Sequence, residues 1–349
     1  MTTLFSGQRR AASLAVAALA ATALLAGCSS TDDAADAATG TAGATTSTTA
    51  VALAEDGAFP ATVEHAYGST TIETEPQRIV TIGWSAQDAV LALGKVPVGI
   101  ERFTGSGIVD DILPWDTDYF VDATPTLLTS NPEVPFEQIM ALEPDVIIAV
   151  YSGIEQSDYD RLTEIAPTVA FPEVAWSTPW QDQTTMIGAA LGQPARADEL
   201  VAGIADTLAA TREANPELAG KTVTYAMAGE DVIVFCPNDP RIEMLVEIGM
   251  VPSAGTEQAC AGDDASSVIV SPELVDTLDA DAFILVDVDD TVLDQLMQDD
   301  LFAGLPAVAD GRVIQMIGMD YAMATSAPTV LSIPYALDEF VTQLTDILG

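Results

Sequence analysis

The feature that most constrains the fold is an alternation that runs twice along the chain. Short apolar segments at 78–82, 96–100 and 145–150 are separated by stretches with helical spacing, and the same alternation returns at 222–228, 232–235, 282–286 and 313–317. Segments this short and apolar, set between helical periods, have the pattern of strands in a mostly parallel sheet covered by helices. Between the two series Leu200, Val201, Ile204 and Leu208 recur at helix spacing, with Pro194 near the start and Pro216 just past the end. The arrangement predicts an α/β protein of two lobes with central, mostly parallel sheets joined by a single long rigid helix. The first lobe is expected over residues 58–180, the connecting helical segment over 181–216 and the second lobe over 217–349.

An internal echo supports the division. Glu137 is followed by Leu142, Glu143 and Asp145, and Glu273 by Leu278, Asp279 and Asp281, at identical spacings and each ahead of an apolar run. Leu93-Gly94-Lys95-Val96-Pro97 is matched by Ile248-Gly249-Met250-Val251-Pro252, each a helix end closed by glycine. Together and in order, the two matches suggest lobes built on a common plan.

Ahead of the lobes lie Arg9 and Arg10, an apolar alanine-rich run over 11–26, and Leu25-Ala26-Gly27-Cys28. The run is too short and small-sided for a membrane span, and it predicts a cleaved lipoprotein leader over residues 1–27. Cys28 becomes the first mature residue and the site of lipid attachment. Residues 28–57 are mostly Ser, Thr, Ala, Gly and Asp and form a flexible linker. The body is therefore expected on the extracytoplasmic face of the cell membrane, held by its lipid. The formal charge of −42 argues against nucleic acid and anionic lipid surfaces as partners. With Cys28 lipidated, Cys236 and Cys260 remain as a pair in an oxidising compartment, and a disulfide between them is expected. No CxxC or cysteine–histidine cluster supports a zinc site.

Specific motifs then line up in order. Glu64-His65-Ala66-Tyr67-Gly68-Ser69-Thr70-Thr71-Ile72 precedes Pro76-Gln77-Arg78-Ile79-Val80-Thr81-Ile82-Gly83-Trp84, followed by Asp88 and by Leu91-Ala92-Leu93-Gly94 ahead of Pro97-Val98-Gly99. Phe136-Glu137-Gln138-Ile139 is followed by Ala141-Leu142-Glu143-Pro144-Asp145-Val146-Ile147-Ile148, and Leu305-Pro306-Ala307-Val308 by Gly311-Arg312-Val313. In this order and spacing the chain resembles the iron-siderophore substrate-binding lipoproteins of ABC transporters, of actinobacterial type. The resemblance implies the class III binding-protein fold, with ligand in a shallow cleft between the lobes. It implies a receptor that binds a ferric siderophore and delivers it to a two-subunit ABC permease driven by an ATPase. It also implies that Glu137 and Glu273, which match the positions this family uses for docking, meet basic pockets on the two permease halves. The chain has no GxxxxGK[ST] loop, so ATP chemistry belongs to a partner. The protein is expected to act as a monomer, not an enzyme, with no cofactor and no metal ligands of its own, iron being held by the chelator.

In open α/β sheets ligands gather at the loops leaving the carboxyl ends of strands. That rule nominates Trp84, Arg102 and Tyr151 as ligand contacts after successive strands of the first lobe, with Trp115 and Trp176 in its loop-like segments. In the second lobe it nominates Arg241 and Tyr321. Aromatic walls with one or two arginines suit an iron chelate with a flat or amide-rich periphery. Two arginines are few for a strongly anionic triscatecholate, which favours a hydroxamate or mixed-ligand siderophore. Haem, held through Tyr151 or Tyr321, and cobalamin are the alternatives within transport. A secreted acid–base enzyme is the alternative from another class, but the single histidine, His65, sits where the family also has histidine and is expected to be structural.

Overall fold

The computed structural model describes residues 53–349 apart from 122, 131, 229–231, 263, 264, 288–293 and 295, so the leader, Cys28 and the linker before residue 53 lie outside the described residues. An antiparallel hairpin of β1 (Ala61–His65) and β2 (Gly68–Ile72) opens the fold. The first lobe follows as β3 (Ile79–Thr81), α1 (Ala86–Ala92), β4 (Gly99–Glu101), β5 (Thr126–Leu128), α2 (Phe136–Ala141), β6 (Val146–Ala149), α3 (Gln156–Thr163) and β7 (Thr168–Ala170). Its five strands run in the order β5-β4-β3-β6-β7, all parallel. Val146, Ile147, Ile148 and Ala149 are all fully buried, as a strand covered on both faces requires.

Helix α4 (Trp180–Ala190) leads into α5 (Pro194–Ala214), the 21-residue helix that stands between the two sheets in the chain. The second lobe comprises β8 (Thr222–Ala228), β9 (Val232–Phe235), α6 (Pro240–Glu247), β10 (Val251–Pro252), α7 (Ala254–Ala259), β11 (Ser267–Val270), β12 (Ala282–Asp287) and β13 (Val313–Ile317). A helix at Met319–Ser326 and a C-terminal helix at Ser332–Leu348 complete it. In its sheet β10, β8, β12 and β13 are mutually parallel, while β9 and β11 add an antiparallel pair beside β8.

The internal echo has a structural meaning. The parallel path β4-β3-β6-β7 of one sheet repeats as β10-β8-β12-β13 in the other. Asp145, just before β6, accepts from the backbone N–H groups of Gln77 and Arg78 at 2.7 and 2.9 Å, fixing the start of β3. Asp281, just before β12, accepts from the Thr222 N–H at 2.9 Å and fixes the start of β8. Helices α1 and α6 end alike. Gly94 (φ 78°) and Gly249 (φ 107°) donate to the carbonyls of Leu91 and Val246, and Lys95 and Met250 to those of Val90 and Leu245. This is the Schellman closure, whose left-handed position suits glycine.

One apolar cluster runs from Ile79 and Val146 of the first sheet through Ile187 and Leu208 to Val223 and Ile284 of the second and Phe340 of the C-terminal helix. The lobes are therefore continuous through their helical junction, not merely apposed. No helix among the described residues is long and apolar enough to cross a membrane.

Candidate ligand cleft

The carboxyl ends of the strands from both lobes face a cleft of about 550 Å³. On the first-lobe side Trp84 follows β3, Arg102 and Phe103 follow β4, Tyr151 follows β6, and Trp176 comes from the loop after β7. On the second-lobe side Met227 closes β8, Phe235 closes β9, Arg241 begins α6, and Met319 and Met323 sit one turn apart after β13. Five of the nominated contacts, Trp84, Arg102, Tyr151, Trp176 and Arg241, thus meet on one wall-lined space.

Close backbone packing shapes the aromatic side. The Trp84 N–H donates to the Tyr151 carbonyl at 3.2 Å, and a Cβ on Gly83 would sit 2.2 Å from that oxygen, so only glycine lets the two strand ends meet. The Trp84 and Trp176 rings lie 4.7 Å apart, and Tyr151 meets Trp176 edge-on at 5.9 Å. Trp176 has φ 60°, a left-handed backbone unusual for a bulky residue, and its indole packs over Gly153. Tyr151 is fully buried, which raises its hydroxyl pKa, and that hydroxyl donates across the cleft floor to the Ser326 carbonyl at 3.2 Å. The Met319 N–H donates to the Ser106 carbonyl at 2.9 Å, a backbone link between the lobes.

Both cleft arginines are paired. Arg241, 7% exposed, donates through Nη1 to Oδ1 and Oδ2 of Asp239 at 3.0 and 2.9 Å and lies 3.9 Å over the Phe235 ring, while its buried Nε has no partner. Asp239 also accepts from the Arg241 N–H at 2.9 Å, capping α6. Arg102 is half exposed and reaches Asp111 at 2.7 and 2.9 Å. Glu101, buried in the cleft wall, accepts from the Ser130 N–H at 3.1 and 3.2 Å and from the Ser130 hydroxyl, and burial raises its pKa.

Trp115 and Tyr321 do not line the cleft. Trp115 donates to Asp88 Oδ2 at 2.7 Å and packs on Tyr335 at 5.0 Å, and the Tyr321 ring lies 6.4 Å from that of Tyr335. Around them lies a fully buried acidic pair. The Gln87 amide donates to Asp88 Oδ1 at 2.9 Å and Asp116 Oδ2 at 3.3 Å, the Thr329 hydroxyl donates to Asp88 from the second lobe, and Asp116 Oδ1 has no partner.

Cys236 and Cys260 form a disulfide that ties the end of β9 to the end of α7, five residues before Arg241. His65 is buried, bonded to Thr70 at 2.9 Å and to the Tyr67 N–H at 3.2 Å, and stacked near Tyr159. Glu137 and Glu273 are exposed in the first turns of α2 and of a 3₁₀ helix at Pro272–Leu278. Glu137 borders a separate acidic hollow of about 640 Å³ that also includes Glu133, Asp158 and Arg161, the last stacked 3.5 Å over Phe136. Among the described residues no three His, Cys, Asp or Glu side chains converge as a metal-ligand set.

Sequence reading did not nominate Phe103, Phe235, Met227, Met319 or Met323. Phe103, Met227 and Met319 lie at or just after the carboxyl ends of parallel strands, so the same rule reaches them; Phe235 ends the antiparallel β9, which the rule does not cover, and Met323 follows one helical turn beyond Met319.

Residues 79–317 match the family described as periplasmic binding protein. The probable siderophore-binding lipoprotein YfiY of Bacillus subtilis is 31% identical over 190 residues, 52% of this chain and 54% of YfiY, so that match spans about half of the relative. The ferric enterobactin-binding periplasmic protein FepB of Escherichia coli is 24% identical over 75% of this chain and 86% of its own length. The crystal structure of Streptococcus pneumoniae PiaA in complex with ferrichrome superposes with a TM-score of 0.75 and 30% identity, covering 82% of this chain and 98% of PiaA.

Proposed function

Since this chain belongs to the periplasmic binding protein family, whose members bind rather than catalyse, we propose that it captures a ferric siderophore in the inter-lobe cleft and delivers it to an ABC permease. The observation that carries the reading is the cleft itself: indole, phenol and thioether side chains around a buried arginine, at the strand ends where α/β proteins hold ligands. That PiaA, similar over nearly its whole length, is solved with ferrichrome supports it. Trp84, Arg102, Tyr151, Trp176 and Arg241 are the contacts in this reading, and Trp115 and Tyr321 support the wall through Tyr335. Haem ligation by Tyr151 is disfavoured, because its hydroxyl is buried and already donates to Ser326.

In the same reading Cys28 carries the lipid that holds the protein outside the cell membrane. The segment after Cys28 gives it reach, although the expected linker 28–57 is too long: Glu55 is docked on the body, its N–H donating to the Gly192 carbonyl at 2.8 Å and its Oε1 accepting from the Ala195 N–H at 2.8 Å. The two lobes are read as 58–180 and 217–349. Glu137 and Glu273, at equivalent places on the two lobes, offer one carboxylate to each half of a roughly two-fold permease, where charge complementarity sets register and speeds encounter. The protein works as a monomer, and the ATPase belongs to the transporter.

The test is quenching of tryptophan fluorescence in titrations with a ferric hydroxamate, a ferric catecholate, haem and cobalamin side by side. Tight, saturable quenching by a ferric chelate is the expected result. Silence toward both chelates, or a response to haem or cobalamin alone, overturns the proposal.

A further inference from the structure

Neither arginine of the cleft presents free charge. Arg102 is matched by Asp111, Arg241 by Asp239, and Glu101 adds an acid to the wall. Among the described residues no other lysine or arginine lines the cleft, and the stretches 229–231, 263–264 and 288–293 contain none. Lys95, Lys221 and Arg312 are paired elsewhere, with Glu75, Asp281 and Asp310. A strongly anionic iron complex would thus leave water for a space with no unmatched cation, in a protein whose formal charge is −42. Breaking either pair to receive the anion would strand an aspartate, most expensively the buried Asp239.

What the wall does offer is one orphan donor, Arg241 Nε, buried beside the Phe235 ring in a cleft that Met319 and Met323 also line. A buried donor gains most from an uncharged oxygen that arrives with apolar surroundings, such as a carbonyl on the chelate periphery. The methionines add an adaptable thioether surface for that periphery.

Resting on the ferric-siderophore reading, we propose that the cleft selects chelates without net negative charge, ferric hydroxamates of neutral or cationic form, and rejects trianionic tris-catecholates. Charge matching within the chain is the selecting element, with Arg241 Nε as the donor to the ligand oxygen.

The experiment titrates the full-length protein in detergent, at fixed ionic strength, with a neutral ferric trihydroxamate, a cationic one and a trianionic ferric tris-catecholate. Both hydroxamates are expected to bind at least about 100-fold more tightly than the catecholate. The same titrations on Asp111→Asn, a substitution at a part-exposed site, release the charge of Arg102. The catecholate is then expected to gain about tenfold relative to the neutral hydroxamate. Catecholate binding as tight as that of the hydroxamates overturns the selectivity and leaves the siderophore reading standing. A ratio that does not move in Asp111→Asn likewise overturns the charge argument. Absence of binding by every chelate overturns the siderophore reading, and the selectivity with it.

Discussion

Asp88 and Asp116 share a fully buried site whose neighbours, among the described residues, include no cation. The groups that face them are the Gln87 amide, the Trp115 indole, the Thr329 hydroxyl from the second lobe, and Tyr119 one turn on from Asp116. Burial pushes the Asp88 carboxyl up to about 7, and burial together with the Asp88 charge holds Asp116 well above the ordinary carboxylate range. The folded protein therefore keeps protons that the unfolded chain releases near pH 4, and stability falls as pH rises from there through about 7. Asp116→Asn keeps an acceptor for Gln87 and removes one charge. It should raise the melting temperature by about 2 °C or more at pH 8, with the gain shrinking at pH 5. Thermal unfolding of the wild-type and variant proteins at the two pH values checks this, and an equal gain at both would place the effect outside the acidic pair.

At the scale of elements, the disulfide matters for what it borders. It ties β9 to α7 beside the Asp239 cap that presents Arg241, in a lobe whose core is otherwise well supplied with apolar contacts. The double variant Cys236→Ser with Cys260→Ser is expected to weaken chelate binding more, in free energy, than it lowers stability. Parallel titration and denaturant unfolding measure both, and losses of equal size would count against the clamp.

Much of this level was legible in the chain. The segments 222–228 and 232–235 emerge as β8 and β9 with those bounds, and Leu200, Val201, Ile204 and Leu208 lie on α5 as their spacing requires. The strands β5 and β7 were not legible: unlike the equally short β3 and β4, whose apolar residues extend beyond the strand, Leu127-Leu128 and Val169-Ala170-Phe171 are hemmed in by proline, threonine and serine. Nor was the antiparallel sense of β9 and β11, since apolar runs carry no direction. At the cleft, strand-end position located Trp84, Tyr151 and Arg241. Trp115 was nominated by its loop alone, and what decided its placement was Asp88 and Tyr335, 27 and 220 residues away in sequence. The pairing of Arg102 and Arg241 with aspartates was equally invisible, although it reverses the electrostatic meaning of both residues.

On the scale of the whole molecule, the apolar cluster that passes through α4, α5 and the C-terminal helix joins the lobes as one packed body. Bending it would open voids in a close-packed core, so closure on ligand should amount to a few degrees. Small-angle scattering with and without a ferric chelate should give nearly the same radius of gyration, and a change of several per cent would refute the rigid junction. A carrier of this build keeps one silhouette whether full or empty. If it delivers to a transporter as proposed, that transporter has to learn whether cargo is aboard from the rim of the cleft, where Ser106 and Met319 already join hands, and not from the outline of its visitor.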